Sequence, residues 1–266
     1  MLLKIVDFRS KKKYTSFMRK IIGVTGPSAY SPFVYKMIEH FYGAMPFYIL
    51  QNHADDLAWI AERIDGLILA GGSDICPITY GQDILNKVGF SKFDLPRDKR
   101  EIALIKLLRN LNKPIFGICR GHQLMGLLNG IPLIKDISNS DVCHNPSSAG
   151  IKTEQTGEDD LPVHFVEVFE EFRQEFFDKQ LVNSWHHQAL RYSSNIANKI
   201  AKEVEIIGIS TVDFKYQNSQ SIENIELMRG FGDKNRWISC QWHPELDYKS
   251  NAASFAVTDV FKKMLG

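Results

Sequence analysis

Short apolar runs recur along the first half of the chain and alternate with stretches whose apolar positions follow a helical period. Ile21–Val24, Pro46–Leu50, Gly66–Ala70 and Pro114–Ile118 are such runs. Runs this short, without polar alternation, fit strands buried on both faces. Residues near 31–42, 54–64, 98–111 and 120–129 carry the helical pattern between them. Strands spaced by helices predict βαβ units, and therefore a parallel sheet with helices on both faces. In the second half, Val163–Val168 and Glu205–Ile209 alternate apolar with polar residues, which predicts antiparallel strands. Trp237–Trp242 reads as one more strand and 250–265 as a closing amphipathic helix. The polar stretches 82–98 and 138–160 are expected loops. Residues 1–19 read as an N-terminal extension and 20–266 as one α/β domain. Its expected form is a mostly parallel central sheet plus a small antiparallel sheet. There is no internal repeat and no low-complexity segment.

Composition narrows the possibilities. The chain has 266 residues, 44% of them hydrophobic, enough for a sizeable core. Lys plus Arg number 32 against 31 Asp plus Glu, so there is no electrostatic footprint for nucleic acid. No apolar run approaches the roughly 18–20 residues of a membrane span. The basic start is interrupted by Lys4 and Asp7 and does not read as a signal peptide. Cys76, Cys119, Cys143 and Cys240 are dispersed, with no CxxC pair, which points to a reducing, cytoplasmic setting rather than a disulfide framework or zinc ribbon.

The sharpest chemical signal is Gly117-Ile-Cys119-Arg-Gly121, where an apolar strand runs into a helical pattern. This is a nucleophile elbow with Cys in place of Ser. A sharp strand-to-helix turn crowds the backbone, and the two glycines make room. The helix N-terminus presents N–H groups and a positive dipole end to a thiolate. A buried structural Cys in a βα turn fits the same residues less fully. A thiol nucleophile needs a base, and the base an orienting group. Cys240-Gln-Trp-His243-Pro-Glu245 supplies both at the end of a strand, where sites of α/β proteins lie. Alone, His-Pro-Glu would fit an ordinary turn equally well.

With these motifs in hand, the chain resembles the class I glutamine amidotransferase-like superfamily, in its γ-glutamyl-γ-aminobutyrate hydrolase, or peptidase C26-like, branch. The resemblance rests on Gly-Ile-Cys119-Arg-Gly-His-Gln123 and Gln241-Trp-His-Pro-Glu245. It continues in Gly66-Leu-Ile-Leu-Ala-Gly-Gly-Ser-Asp74, similar to the oxyanion loop, and in Val182-Asn-Ser-Trp-His-His-Gln188, similar to the branch's substrate-side segment. Gln220-Ser-Ile-Glu-Asn-Ile-Glu226 resembles a Gly-x-Ile-Glu-Ala-Ile-Glu strand of that branch but lacks its Gly. Residues 1–19 have no counterpart in it.

The resemblance implies a flavodoxin-like fold and a set of roles. Cys119 would attack a γ-glutamyl carbonyl, His243 would move the proton, and Glu245 would hold His243. The N–H groups of Gly72 and Arg120 would form the oxyanion hole. Gly71, Gln123, His187 and Gln188 would contact the glutamyl group. No cofactor and no metal are implied. The expected partner is a small γ-glutamyl amide, with no nucleic acid or membrane. A homodimer fits the resemblance, and a synthase partner is not favoured. Two alternatives stand: a glutaminase subunit feeding ammonia to a synthase, and an inactive regulatory homologue. The loops at 73–98 and 138–160 are candidate cleft walls, and Asp74, Asp94, Asp98 and Asp141 could favour a cationic leaving group. The remaining signals carry less. His186-His187 and Cys143-His144 do not read as metal sites, and Lys11-Lys12-Lys13 reads as a solvated face. Phe165, Phe169, Phe172, Phe176 and Phe177 read as core.

Overall fold

Every residue of three neighbouring strands is buried: β3 (Gly66–Leu69), β4 (Ile115–Ile118) and β11 (Trp237–Cys240). They form the centre of the sheet in a computed structural model that describes residues 19–26, 31–50, 56–82, 93–137, 164–213, 221–232 and 235–266. β2 (Met45–Tyr48) and β1 (Ile21–Thr25) extend the parallel half on one side, giving the order β2-β1-β3-β4-β11. Beyond β11 the sheet turns antiparallel, through β10 (Ser221–Gly230), β9 (Val204–Asp213), β6 (His164–Val168) and β7 (Lys179–Val182). β5 (Leu133–Ile134) pairs with β8 (Ala189–Arg191), which joins β10. The antiparallel strands expected from the second half are therefore continuous with the main sheet rather than a separate one.

Alternation along the buried strands feeds two cores, one on each face. Ile22, Val24, Ile68, Phe116, Ile118, Ile238 and Cys240 face one cluster. Into it pack α1 (Ser31–Met37) through Val34 and Met37, and α7 (Ala252–Leu265) through Val257 and Phe261. Leu67, Leu69, Ile115 and Trp237 face the other. That side is covered by α2 (Leu57–Arg63), α3 (Leu95–Asn110) and α4 (Arg120–Leu128), through Ile60, Leu104 and Leu124. Two further helices, α5 (Ser194–Ile200) and α6 (Pro244–Asp247), lie in the second half. No helix among the described residues is long and apolar enough to cross a membrane.

One boundary and one burial differ from the sequence pattern. α3 starts at Leu95, within the expected loop, because Asp94 Oδ1 accepts from the Arg97 N–H at 3.0 Å and Pro96 falls in the first turn, where its missing N–H costs nothing. Phe165 is exposed, since β6 alternates buried and exposed residues and Phe165 falls on the solvent side; Phe169, Phe172, Phe176 and Phe177 pack against the cores as expected. The extension up to residue 18 and the stretch 138–163, with Asp141 and Cys143, lie outside the described residues.

Candidate active site

Three adjacent parallel strands each end in one part of the site. β4 runs straight into Cys119, which has φ 51° and ψ −102°, a left-handed backbone that a non-Gly residue adopts only under constraint. The constraint is visible. The Cys119 N–H donates to Cys240 O at 2.9 Å, and Cys119 O accepts from the Gln123 N–H at 3.1 Å, so β11 and α4 hold the peptide on both sides. The two flanking glycines are sterically required. A Cβ on Gly117 would meet the Gly121 carbonyl at 2.9 Å, and one on Gly121 would stand 2.2 Å from Leu69 O. Arg120 opens α4, where its N–H has no acceptor within the helix.

β11 delivers His243 three residues past its end, with Glu245 in the turn that follows. His243 Nδ1 lies 2.8 Å from Glu245 Oε1; since a carboxylate only accepts, Nδ1–H is the donor. A further hydrogen bond joins the ring to Cys119, leaving Nε2 for that contact. Burial alone would push the imidazole pKa down. The Glu245 carboxylate, then Cys119, outweigh burial and hold it well above its ordinary value. Asn183 fixes the His243 backbone from the antiparallel side. Its Oδ1 accepts from the His243 N–H at 2.8 Å, while its Nδ2 donates to His243 O at 2.9 Å and to Asp247 Oδ2 at 3.2 Å.

β3 ends in the loop 70–76. A Cβ on Gly71 would stand 2.8 Å from His243 Cε1 and 3.7 Å from Cys119 Cβ, so the loop closes directly over the Cys–His pair. Gly72 follows at φ 147°, open to glycine and unfavourable for other residues. Beneath the loop sits a buried ionic cluster. Arg97 Nη2 and Nη1 donate to Ala70 O at 2.6 Å and Gly71 O at 3.1 Å, and its Nε to Glu101 Oε1 at 2.7 Å. The Arg120 guanidinium, buried rather than at the surface, pairs with Glu101 and Asp98. Thr25 Oγ1 donates to Glu101 Oε1 at 2.6 Å. Burial would raise the Glu101 carboxyl, but Arg120 and Arg97 prevail and lower its pKa to about 2.

The remaining expected contacts separate into two layers. Gln123 is buried on α4, its Nε2 donating to Gln188 O at 2.9 Å and Gln241 Oε1 at 3.2 Å. Gln188 is buried beside it, with its Nε2 reaching Lys135 O at 3.4 Å. His187 is nearer solvent and pairs with Asp74 at 3.0 Å, with Asp136 at 4.0 Å on its other nitrogen. Of the acidic residues expected along the cleft, Asp74 is the one that, among the described residues, is found beside an expected substrate contact. Asp94 caps α3, and Asp98 is fully buried, accepting from the Cys76 N–H at 2.9 Å and Thr79 Oγ1 at 2.8 Å.

The Peptidase C26 family model matches residues 25–245. The chain belongs to the Peptidase C26 family. Among similar proteins, NtpR of Enterococcus hirae is 33% identical over 204 residues, spanning 75% of this chain and 74% of that one. The glutamine amidotransferase-like protein YvdE of Lactococcus lactis is 28% identical over 200 residues, spanning 74% and 73%. In fold, the chain is similar to the glutaminase domain of Trypanosoma brucei CTPS with bound acivicin, at TM-score 0.55, 14% identity and coverage of 92% and 93%. A glutamine amidotransferase from Thermotoga maritima gives TM-score 0.53, 16% identity and coverage of 93% and 95%.

Peptidase C26 membership makes the chain an amide hydrolase of the glutamine amidotransferase-like kind. Sequence reasoning did not find Asn183 as the group holding His243, nor Arg97 and Glu101 as supports of the loop. It also missed His122 on α4, whose Nε2 lies 2.9 Å from Ile225 O and whose Nδ1 lies 3.0 Å from Ser239 Oγ. Burial pushes that imidazole down to about 4, against the opposing pull of its bond to Ile225, so His122 is neutral near pH 7 and ties α4 to β10 and β11.

Proposed function

We propose that the chain hydrolyses γ-glutamyl amides through a γ-glutamyl thioester on Cys119. The carrying observation is the convergence of Cys119, His243 and Glu245 at the carboxyl ends of two adjacent strands, with Gly71 of a third strand's loop against them. Cys119 Sγ attacks the γ-carbonyl carbon after its proton passes to His243. Glu245 stabilises the imidazolium and fixes its tautomer. Negative charge developing on the carbonyl oxygen is taken up by the N–H groups of Arg120 and Gly72. His243 then protonates the leaving amine as the C–N bond breaks. Water, deprotonated by His243, cleaves the thioester to release glutamate and the free thiol.

Gly71, Gln123, Gln188 and His187 line the glutamyl side in this reading, and the amine leaves past Asp74 and Asp136. We take γ-glutamyl amines to be preferred over glutamine, since Val182-Asn-Ser-Trp-His-His-Gln188 resembles the substrate-side segment of the γ-glutamyl-γ-aminobutyrate hydrolase branch. Initial rates of the purified chain on a panel of γ-glutamyl amides and on glutamine test this, with glutamate and ammonia both measured. A higher kcat/KM for a γ-glutamyl amine is expected, because discrimination is expressed in that ratio. A higher value for glutamine, or turnover only when a partner is added, would make the chain a glutaminase subunit instead.

A further inference from the structure

The side chains of the cluster beneath the oxyanion loop are buried, charged and unused by the reaction steps above. Arg97 is 3% exposed, Arg120 1% and Glu101 0%. Charges so deeply buried are costly unless fully partnered, and a purely structural link between α3 and the sheet would be served as well by apolar packing. Their arrangement has a direction. Arg97 spends two donors on consecutive carbonyls, Ala70 O and Gly71 O, and a third on Glu101. In a trans peptide the C=O of one residue and the N–H of the next point opposite ways. With Gly71 O tied down to Arg97, the Gly72 N–H must point away from α3. A Cβ on Gly71 would stand 2.8 Å from His243 Cε1 and 3.7 Å from Cys119 Cβ, so the residue whose carbonyl meets Arg97 also abuts the Cys–His pair.

We propose that Arg97 is a positioning residue that sets the Gly71–Gly72 peptide so that the Gly72 N–H faces the carbonyl oxygen of the bound amide. Glu101 links it to Arg120, which contributes the second N–H. One carboxylate thus holds both walls of the oxyanion hole in register, the β3 loop through Arg97 and the elbow through the Arg120 side chain. Without Arg97, φ 147° at Gly72 is one of several conformations open to a Gly-Gly pair, and the N–H is free to turn from the site. This deepens the proposed hydrolase reading and rests on it.

R97K keeps a positive charge beside Glu101 but loses the planar fork that reaches two carbonyls and a carboxylate together. Losing one oxyanion donor costs about 100- to 1,000-fold in kcat. R97K is therefore expected to lose about 100-fold in kcat on a γ-glutamyl amide with KM changed less than about 3-fold. Alkylation of Cys119 by iodoacetamide, which develops no oxyanion, should stay within about 3-fold of wild type. R97Q, which keeps one amide donor, serves if R97K folds poorly. A crystal structure of the variant gives a readout independent of turnover, the orientation of the Gly71–Gly72 peptide. Unchanged kcat, or a kcat loss matched by equal losses in alkylation and thermal stability, would overturn the proposal. So would an unmoved Gly72 N–H in the variant structure. If wild type hydrolyses no γ-glutamyl amide, the proposed function fails, and the peptide orientation alone decides the role of Arg97.

Discussion

Asn183→Ala tests how far the antiparallel half of the sheet controls His243, the proposed base. In the wild type, one side chain satisfies both the N–H and the C=O of His243, at 2.8 and 2.9 Å, in a fully buried setting. Alanine leaves both groups without that partner. A buried polar group left unsatisfied costs about 1–3 kcal/mol, so the pair costs about 2–6 kcal/mol before relaxation. Entry of a water into the vacated space recovers part of it, and about 3 kcal/mol is the expected loss. For a chain of this size that corresponds to a fall of about 6–12 °C in Tm. The kinetic consequence is larger in proportion. Asn183 anchors the peptide at the start of the turn carrying both His243 and Glu245, and a shift of about 1 Å in a catalytic group costs about 100-fold in rate. Thermal unfolding by circular dichroism and initial rates on a chromogenic γ-glutamyl anilide measure the two effects. Asn183→Asp keeps the acceptor for the His243 N–H but sets a buried carboxylate oxygen against His243 O and Asp247 Oδ2, so it should lose at least as much Tm as alanine. A variant with Tm within about 1 °C of wild type and undiminished kcat would refute this role for Asn183.

Glu245→Gln removes the charge that most strongly opposes burial at His243, so the imidazole pKa falls and the alkaline limb of the kcat/KM profile should move to lower pH; an unmoved limb would contradict the pairing. His122 is held neutral, its pKa lowered from 6.5 to about 4. A depressed His pKa means that the unfolded chain binds more protons, so the stabilisation is complete above pH 6.5 and lost as pH falls towards 4. That swing amounts to about 3 kcal/mol. His122→Gln should flatten the corresponding part of the stability curve in urea titrations across that range. Gly121→Ala sets a Cβ 2.2 Å from Leu69 O, so it should destabilise by about 3 kcal/mol or fail to fold, as read by Tm and soluble yield. Among the cysteines of the described residues, Cys119 should be alkylated before Cys76 and Cys240, which are fully buried; peptide mapping after brief iodoacetamide treatment checks the order.

The parallel half of the fold was legible because its strands are buried on both faces and appear as unbroken apolar runs. The elbow was legible because few residue types satisfy its backbone, and the His-Pro-Glu turn because a thiol nucleophile calls for a base and an orienting group. What escaped the sequence was polar and buried. Arg97, Asp98 and Glu101 lie in a charged stretch that patterning assigns to solvent, and nothing local says that Arg120, across the fold, neutralises it. The start of α3 was missed for the same reason, since polar residues preceding a capped helix look like loop. Asn183 was noticed only as part of a substrate-side segment, because its real partner, the backbone of His243, is 60 residues away. The joining of the antiparallel strands to the main sheet depends on β10 pairing with β11, a long-range choice without a local signature. There the Gln241 N–H donates to Glu226 O at 2.9 Å, carrying the β10–β11 register on towards the His243 turn.

The central claim is a covalent glutamyl intermediate on Cys119, and rapid-quench mass spectrometry addresses it most directly. The purified chain is mixed with excess γ-glutamyl anilide, stopped in acid within the first turnovers, digested and mapped. A γ-glutamyl adduct is expected on the peptide containing Cys119. Hydroxylamine should release it as the hydroxamate, and it should be absent from Cys119→Ala. Turnover without such an adduct, an adduct on another cysteine, or full activity in Cys119→Ala would contradict the account.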